Sequence, residues 1–474
     1  MNNIILNTDS YKLTHWGIYP EGTTGVYSYF EARNGAKYPG TVFYGLQYLL
    51  KKHLTGRVVT AEKIDEAQRI IDIHMGPGKF NRAGWMRIAN KHGGKLPLRI
   101  KAVPEGAVIP VSNVMMTVEN TDPQLPWLTN YMESLLTHIW APCTVATMSH
   151  ELRKKCVSSL VRTSDGDANA IAAFMLHDFG YRGVTSNESA GICGSAHLLS
   201  FLGTDTVPAL QCAETYYDAD LKSLGFSVVA TEHSNMTSLG EKGEFSILEK
   251  YVDDNPDGIM ACVSDSYNIE RFVNEYVRSL KDKILARKPN AMGLCKFVVR
   301  PDSLRWADDT PEDQMVWLTD KLADIFGTTT NSKGFKVLHP KIGLLWGDGI
   351  EPAGINLILR RIEAAGYSTK HLVFGMGGGL LQKINRDVQR FAFKCAAQER
   401  NGVWEDVQKN PLDVTKKSKA GRMKLTLNPD SVEFQTVRED VLGVDLLQTV
   451  FEDGRLVADH SFEDIRETLA YHIN

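Results

Sequence analysis

Several residues able to do acid–base, nucleophilic or charge-stabilising chemistry follow short apolar segments in the middle of the chain. The clearest is His233, in Val228-Val229-Ala230-Thr231-Glu232-His233-Ser234, whose first three residues we predict to be the end of a buried β-strand. A histidine at a strand-to-helix turn can face a cleft while a rigid sheet holds its backbone. Taken alone, a helix-capping or core histidine explains this position better, so a functional role depends on its neighbours.

Acidic residues follow other predicted strands in the same way. They are Asp178, Asp205, Asp265, Asp302 and Asp348. One aspartate after a strand is usually a helix cap, but this whole set, together with His233 and two arginines, exceeds what capping explains. We therefore predict an active-site cleft where the strands end.

Arginines and glycines at the same strand ends favour phosphate binding. Arg182 and Arg300 can each make paired hydrogen bonds to a phosphate group. The run Gly375-Met376-Gly377-Gly378-Gly379 exposes backbone N–H groups before a predicted helix, where the dipole favours an anion. Asp302 and Asp348 can accept hydrogen bonds from sugar hydroxyls or hold Mg²⁺ through water. Together these residues indicate a phosphosugar site.

The alternation of apolar strands and helices over residues 166–390 predicts an irregular α/β barrel. Six or seven such units are typical of a parallel sheet covered on both faces, and catalytic groups in a barrel lie where its strands end. The pattern also predicts a strand over Ala172–Leu176 and helices over Val42–His53 and Leu380–Phe393. Residues 1–165 are predicted to form an α+β region, with which residues 391–474 pack.

The composition is that of an ordinary globular enzyme or binding protein. The chain has 474 residues, 43% of them hydrophobic, and a formal net charge of −4, which gives no global attraction to nucleic acid or to acidic membranes. Its seven scattered cysteines form no Cys-x-x-Cys motif, which argues against a disulfide framework and a structural zinc site. With neither a signal-peptide pattern nor an apolar stretch of about 18 residues, the sequence predicts a cytoplasmic location.

The glycine run also permits a dinucleotide-binding fold as an alternative. However, it comes late in the alternating series, and its spacing differs from Gly-x-Gly-x-x-Gly. The P-loop, His-Glu-x-x-His and Gly-x-Ser-x-Gly patterns are absent from the sequence. The phosphosugar site is therefore the favoured prediction.

As an ordered set, the motifs of this chain resemble those of the nicotinamide phosphoribosyltransferases, a family of type II phosphoribosyltransferases. The resemblance runs nearly end to end and is carried by Thr8–Lys12, Val26–Glu31, Val42–Tyr48, Ile100–Gly106, Leu176–Gly183, Gly203–Thr206, Glu232–Ser234, Val263–Tyr267, Arg300–Ser303, Gly347–Gly349 and Gly377–Lys383. It implies synthesis of nicotinamide mononucleotide and pyrophosphate from nicotinamide and phosphoribosyl pyrophosphate, with Mg²⁺, in NAD salvage. It also implies ATP hydrolysis coupled through a phosphorylated histidine, and a homodimer with shared active sites.

The resemblance assigns the base-binding roles residue by residue. His233 matches the phosphorylated histidine, and Phe179 matches the aromatic residue that stacks on the pyridine ring. Tyr11, in the same arm as Asp9, matches a second stacking residue that the partner subunit supplies. Asp205 matches the carboxylate that accepts a hydrogen bond from the carboxamide. An ionised Asp205 would also repel the carboxylate of nicotinate, which explains selectivity for the amide by charge alone.

The resemblance also assigns the phosphate-binding roles. Arg182, which also borders the base, and Arg300 match residues on the pyrophosphate side, and Asp302, Gly347 and Asp348 match the ribose site. Gly377, Gly378 and Arg386 match the 5′-phosphate site, with the arginine coming from the partner chain, while Arg33, Lys394, Lys409 and Lys416 match cations around the phosphates. The implied catalytic set is His233, Arg300, Asp302 and Asp205, and Mg²⁺ is expected to be held mainly by substrate phosphates.

Three positions depart from the family pattern. Leu304-Arg305-Trp306 stands where Gly-Asn-Pro is usual, Asn268 where an aspartate is common, and Ala392 where a serine is common. The loss of the acid at Asn268 could weaken Mg²⁺ handling or ATP coupling. Two alternatives remain open: a nicotinate phosphoribosyltransferase with the same fold, and a non-catalytic dimer that binds phosphoribosyl compounds or nucleotides.

Overall fold

The computed structural model describes residues 3–409, 417–431 and 433–471 and divides the chain into two compact units. Unit 1 comprises Met1–Thr147, Cys212–Ala219 and Ile384–Asn474, and unit 2 comprises Met148–Gln211 and Asp220–Lys383. These boundaries precede the ones predicted at residues 166 and 391, and the helix that spans Trp140–Thr163 contains the first of them. The N- and C-terminal regions of the chain therefore belong to one unit.

The strands of the described residues are, in chain order, β1 (Thr23–Ala32), β2 (Gly40–Val42), β3 (Leu98–Ala102), β4 (Val108–Pro110), β5 (Val114–Asn120), β6 (Leu176–Asp178), β7 (Gly203–Thr204), β8 (Val229–Ala230), β9 (Ile259–Val263), β10 (Lys296–Arg300), β11 (Thr328–Thr330), β12 (Lys336–Leu338), β13 (Ile342–Trp346), β14 (Leu372–Met376), β15 (Phe391–Arg400), β16 (Val403–Asp406), β17 (Met423–Leu427), β18 (Phe434–Arg438), β19 (Gln448–Glu452) and β20 (Arg455–Leu456). The α-helices are α1 (Leu46–Leu49), α2 (Ala61–Met75), α3 (Arg82–Lys91), α4 (Leu128–Tyr131), α5 (Glu133–Leu136), α6 (Trp140–Thr163), α7 (Ala168–Ala172), α8 (Asn187–His197), α9 (Val207–Tyr217), α10 (Leu221–Leu224), α11 (His233–Met236), α12 (Glu244–Asp254), α13 (Ile269–Arg271), α14 (Lys281–Ala286), α15 (Pro311–Phe326), α16 (Pro352–Ala364), α17 (Gly378–Leu381) and α18 (Phe462–Ala470). Within the described ranges, no helix is both long and apolar enough to cross a bilayer.

Unit 1 contains a seven-stranded antiparallel sheet in the order β16-β15-β1-β5-β3-β19-β20. Its centre is β1, which pairs with β15 on one side and β5 on the other. The rings of Phe30 and Phe391 stack at 5.2 Å across the first of these pairs. The C-terminal region thus contributes strands to the sheet that the N-terminal region begins.

One predicted helix is wrong and another begins later than predicted. Over Leu380–Phe393, only Leu380 and Leu381, the end of α17, are helical, and Phe391 already begins β15. The left-handed backbone of Arg390 (φ 52°) ends any helix there. The helix predicted over Val42–His53 is confirmed only from Leu46, because Val42 ends β2 and Gly45 adopts φ 100°; α1 then continues into a π-helical turn from Leu50 to Leu54.

Unit 2 is built on a seven-stranded parallel sheet in the order β7-β6-β14-β13-β10-β9-β8. Phe226 lies just before the edge strand β8 and forms a parallel bridge with Gly203 of the opposite edge strand, β7. This bridge links the two edges of the sheet. This arrangement is the irregular α/β barrel that the sequence predicts. Helices such as α15 and α16 cover it, each with a buried apolar face.

Two details of this barrel correct the sequence prediction. Residues 168–172 form α7, whose cap Asp167 accepts from two backbone N–H groups, so β6 begins only at Leu176. The segment before His233 is not buried: Val229 is 53% exposed, because β8 has only two residues and its ladder pairs with β9 alone.

Candidate active site

The floor of the candidate site is an apolar cluster inside the sheet of unit 2. It consists of Ala261, Val298 and Leu345, from neighbouring strands, and Phe179 packs against it. Glycine makes room for the ring: a Cβ on Gly375 would lie 2.0 Å from a ring carbon of Phe179. The strand ends therefore hold an aromatic ring in a fixed place at the mouth of the barrel.

Backbone contacts link Asp205 to the strand end that carries Phe179. The N–H of Phe179 donates to the carbonyl of Met376 at 3.1 Å, and the N–H of Asp205 donates to the carbonyl of Asp178 at 2.9 Å. The Asp205 side chain is exposed and accepts from the Ser227 hydroxyl at 2.5 Å. One carboxylate oxygen is thus oriented and the group stays in contact with solvent.

His233 forms a pair with a second strand-end residue. Its Nε2 lies 3.1 Å from Oδ1 of Asp265, whose side chain is 8% exposed, and Ser303 donates to the other oxygen of Asp265. His233 begins α11, whose cap Glu232 accepts from the backbone of Asn235. The neighbouring strands β8 and β9 bring this pair together, with the imidazole 45% exposed.

Three carboxylates lie close enough to influence one another at these strand ends. Burial, and then the charges of Asp302 and Asp265, raise the pKa of Asp348 above its ordinary value. A cation would relieve this repulsion, so the donor set suits Mg²⁺ held through water and substrate oxygens. Within the described ranges, no group of three or more His, Cys, Asp or Glu residues is arranged to hold a metal directly.

The two predicted phosphate-binding arginines of unit 2, Arg182 and Arg300, have guanidinium N–H groups without a protein partner among the described residues. Arg300 ends β10, and its Nε is buried without a hydrogen-bond partner. Arg182 is exposed in the turn Tyr181–Gly183 and makes no ion pair within the part of the chain that the structure describes. Gly377 and Gly378, at the turn that follows β14, are only partly buried. Unsatisfied guanidinium donors at the mouth of a barrel favour an anionic ligand.

Unit 1 carries a second group of predicted phosphate-binding residues. Burial, then the positive charges of Arg33, Arg386 and Lys409, lower the pKa of Lys394, although Glu133 opposes them. These four cations therefore lie near one another. Lys416 lies outside the described residues.

Other basic residues near Lys416 in the sequence are already paired. Lys419 bonds to Glu31, and Arg422 bonds to Glu119 at 2.6 Å and to Glu439 at 2.7 Å. They stabilise unit 1 by contacts within the chain, so Lys419 and Arg422 are not free cations for a phosphate.

The N-terminal arm presents Tyr11 at the surface of unit 1. Tyr11 is 59% exposed and lies in a 3-10 helix over Ser10–Gly17. Asp9 caps this segment and accepts from the Ser134 hydroxyl at 2.5 Å. An anchored arm with an exposed aromatic ring is free to stack on a ligand or on another protein chain.

Two contacts of the site were not predicted from the sequence. Ser227 orients Asp205, and Ser303 orients Asp265, yet neither serine ends an apolar run. Ser303 adjoins Asp302 at the end of β10, which is a signal that could have identified it. Ser227 precedes β8 in an irregular segment, and no predicted site residue adjoins it in the sequence that could have identified it.

Two of the three family departures have local structural explanations, and nothing in the structure explains Ala392. Asn268 caps α13 by accepting from the N–H of Arg271 at 2.8 Å, a role that asparagine fills as well as aspartate. Arg305 lies 4.5 Å from the centre of the Trp317 ring and bonds to Asp309 at 3.1 Å, which fixes the altered loop. Ala392 pairs with Glu31 inside the sheet of unit 1.

Solved structures with this architecture include two enzymes of pyridine nucleotide metabolism. The nicotinate-nucleotide pyrophosphorylase of Pyrococcus furiosus has a TM-score of 0.63 at 14% identity and aligns over 99% of this chain and 95% of its own. Human nicotinic acid phosphoribosyltransferase has a TM-score of 0.57 at 13% identity, over 98% and 93%. At these identities the likeness establishes the fold.

Sequence comparison identifies the family, which the structural likeness alone does not. The model of the nicotinate phosphoribosyltransferase (NAPRTase) family matches residues 174–455, and that of the nicotinamide phosphoribosyltransferase N-terminal domain matches residues 3–100. The nicotinamide phosphoribosyltransferase of Xanthomonas campestris pv. campestris is 41% identical over 98% of both chains, and that of Acinetobacter baylyi is 34% identical over 98% of this chain and 96% of its own. The chain therefore belongs to the NAPRTase family of phosphoribosyltransferases and, within it, to the nicotinamide phosphoribosyltransferases.

Proposed function

We propose that the chain transfers the phosphoribosyl group of phosphoribosyl pyrophosphate to nicotinamide, giving nicotinamide mononucleotide and pyrophosphate in NAD salvage. The observation that carries this proposal is the exposed carboxylate of Asp205 at a strand end bonded to the one that carries the ring of Phe179. A flat neutral base can stack on the ring while its amide N–H donates to the carboxylate. The relatives named above support the same substrate.

The reaction requires little proton transfer by groups of the protein. The lone pair of the pyridine nitrogen forms the new bond to the anomeric carbon, and the bond to pyrophosphate breaks with its electron pair. We propose that Arg182 and Arg300 bind the leaving pyrophosphate, while Asp302 and Asp348 orient the ribose and stabilise positive charge at the anomeric carbon. Catalysis then comes mainly from positioning and charge stabilisation. Bound Mg²⁺ would add charge neutralisation at the phosphates.

Coupling to ATP is proposed through His233. The contact with Asp265 orients the imidazole at the same strand ends that carry Arg300 and Asp302. A phosphate on His233 would add negative charge at these strand ends. That charge would attract Mg²⁺ and the cationic side chains that surround pyrophosphate. We place the reaction in the cytoplasm, where the seven cysteines, none of which forms a disulfide, would stay reduced.

The direct test is product formation from phosphoribosyl pyrophosphate and Mg²⁺, with nicotinamide and nicotinate run side by side, each with and without ATP. Mononucleotide from nicotinamide only, in larger amount with ATP, is the expected result. Product from nicotinate instead would keep the fold and overturn the role of Asp205. Binding of phosphoribosyl pyrophosphate without product from either base would favour a non-catalytic binding dimer.

The base preference should depend on the charge of Asp205. In Asp205→Asn the neutral side chain still accepts from an amide but no longer repels a carboxylate. Like charges placed together cost several kcal/mol, so we expect the ratio of kcat/KM for nicotinamide to that for nicotinate to fall by about 100-fold. Steady-state kinetics with both bases measures this ratio, and an unchanged ratio would disprove the charge explanation.

We further propose a homodimer with shared active sites, in which Tyr11 and Arg386 act in the site of the partner subunit. Mixing the variants Tyr11→Ala and Phe179→Ala, each of which should retain only a small residual activity, tests this sharing. If each site uses Tyr11 of one chain and Phe179 of the other, a mixed dimer keeps one intact site. Random mixing should then restore about a quarter of the wild-type activity. Sites built from single chains would give no recovery after mixing.

A further inference from the structure

Asp178, the last residue of β6, is a buried carboxyl group that the proposed mechanism leaves without a role. It is 0% exposed. Its Oδ1 accepts from the N–H of Gly180 at 2.7 Å, whereas Oδ2 has no hydrogen-bond partner. A Cβ on Gly194 would lie 3.1 Å from that oxygen, so the surroundings are close-packed. Burying a half-satisfied carboxyl group is costly, which calls for an explanation beyond folding.

Asp178 touches both halves of the proposed base site. The N–H of Gly180 that it binds belongs to the turn directly after Phe179. Its own carbonyl accepts from the N–H of Asp205 at 2.9 Å. A change in the charge or position of Asp178 therefore reaches the stacking ring through one contact and the selective carboxylate through the other.

The groups around Asp178 leave it as the one expected to titrate near neutral pH. Burial raises its pKa to about 6, and the charge of Asp205 adds to this, while the Gly180 N–H and the nearby Thr206 hydroxyl, which lies outside hydrogen-bond geometry, oppose it. Burial lowers the pKa of His177, although the charge of Asp205 opposes it, and lowers that of His197 to about 3, so the neutral form of both imidazoles is favoured. Asp178 is consequently neutral at pH values below about 6 and charged above.

We propose that Asp178 is a positioning residue that sets, through Asp205 and the Phe179–Gly180 turn, how strongly the site prefers nicotinamide to nicotinate, and that makes this preference depend on pH. The inference rests on the proposed function. An ionised Asp178 adds a second, buried negative charge near the exposed carboxylate of Asp205, and a buried charge is poorly screened. The anionic nicotinate is repelled by both charges, whereas the neutral nicotinamide is not.

The experiment is a pH profile of kcat/KM for each base, from about pH 5.5, below the transition, to about pH 8, above it. In the parent protein, the ratio for nicotinamide over nicotinate should rise several-fold with a midpoint near the pKa of Asp178. In Asp178→Asn, which keeps the acceptor for Gly180, the ratio should be flat and close to the low-pH value of the parent. In Thr206→Val, which loses the hydroxyl that favours the ionised form, the midpoint should move to higher pH.

Asp167→Asn is the matched control, because it makes the same substitution at an exposed carboxylate that accepts backbone N–H groups remote from the site. It should reproduce the parent profile. A parent that makes no product from nicotinamide overturns the proposed function and this inference with it. A parent that uses nicotinamide with a pH-independent ratio, or a Thr206→Val midpoint equal to that of the parent, overturns this inference alone, even if Asp178→Asn does not fold.

Discussion

Replacing Gly375 by alanine is expected to lower kcat/KM for nicotinamide by about 100-fold, mainly through a higher KM, because small displacements of positioning groups have effects of this size. The added Cβ would lie 2.0 Å from the ring of Phe179, far inside van der Waals contact, so the ring must leave its place. Gly375 lies in β14, and its φ is outside the left-handed region, so alanine fits the backbone and the effect comes from lost space alone.

Gly354→Ala is the control for this prediction. Gly354 lies inside α16, and a Cβ there meets only Ile350, at an ordinary 3.6 Å. Activity should be unchanged and the helix slightly more stable. If the alanine at position 375 acts through the ring, it should add nothing to KM in a Phe179→Ala background, since the two changes share one effect. Full additivity of the two changes would show that Gly375 acts by another route.

The strands that carry the site were predictable because buried parallel strands are uninterrupted apolar runs. β9 and β13 begin and end at the predicted residues, Ile259–Val263 and Ile342–Trp346. In a barrel the ends of such strands meet, so polar residues that follow them, such as Asp265 and Asp302, are recognisable from the sequence alone. The prediction depended on one strong and repeated signal.

The errors arose where distant partners decide the structure. Apolar residues between Leu380 and Phe393 have helical spacing, but Phe393 pairs with Phe30 from the start of the chain, and this pairing makes a strand. Nor could strand ends alone reveal that His233 would contact Asp265 rather than another acid. That contact follows from the order of strands in the sheet, which a single sequence does not contain.

His233→Ala is expected to abolish the stimulation of mononucleotide synthesis by ATP and to leave part of the basal activity. In the structure, Nε2–H of His233 donates to Asp265, which leaves the lone pair of Nδ1 as the nucleophile. Attack on the γ-phosphorus forms an Nδ1–P bond, and ADP leaves with the electrons of the broken P–O bond. Measuring ADP released per mononucleotide formed, with phosphorus NMR of the modified ring, tests both the residue and the nitrogen.

Two further variants separate this role from a structural one. Asp265→Asn keeps the imidazole but weakens the acceptor that fixes its tautomer and stabilises the imidazolium, so ATP stimulation should fall steeply while His233 is retained. His92→Ala removes a comparable contact, 2.6 Å from Asp122 in unit 1, and should leave the stimulation intact. Since basal synthesis needs only positioning and charge stabilisation, the loss in His233→Ala should be confined to coupling. Stimulation by ATP that survives in His233→Ala would exclude this histidine as the phosphoryl acceptor.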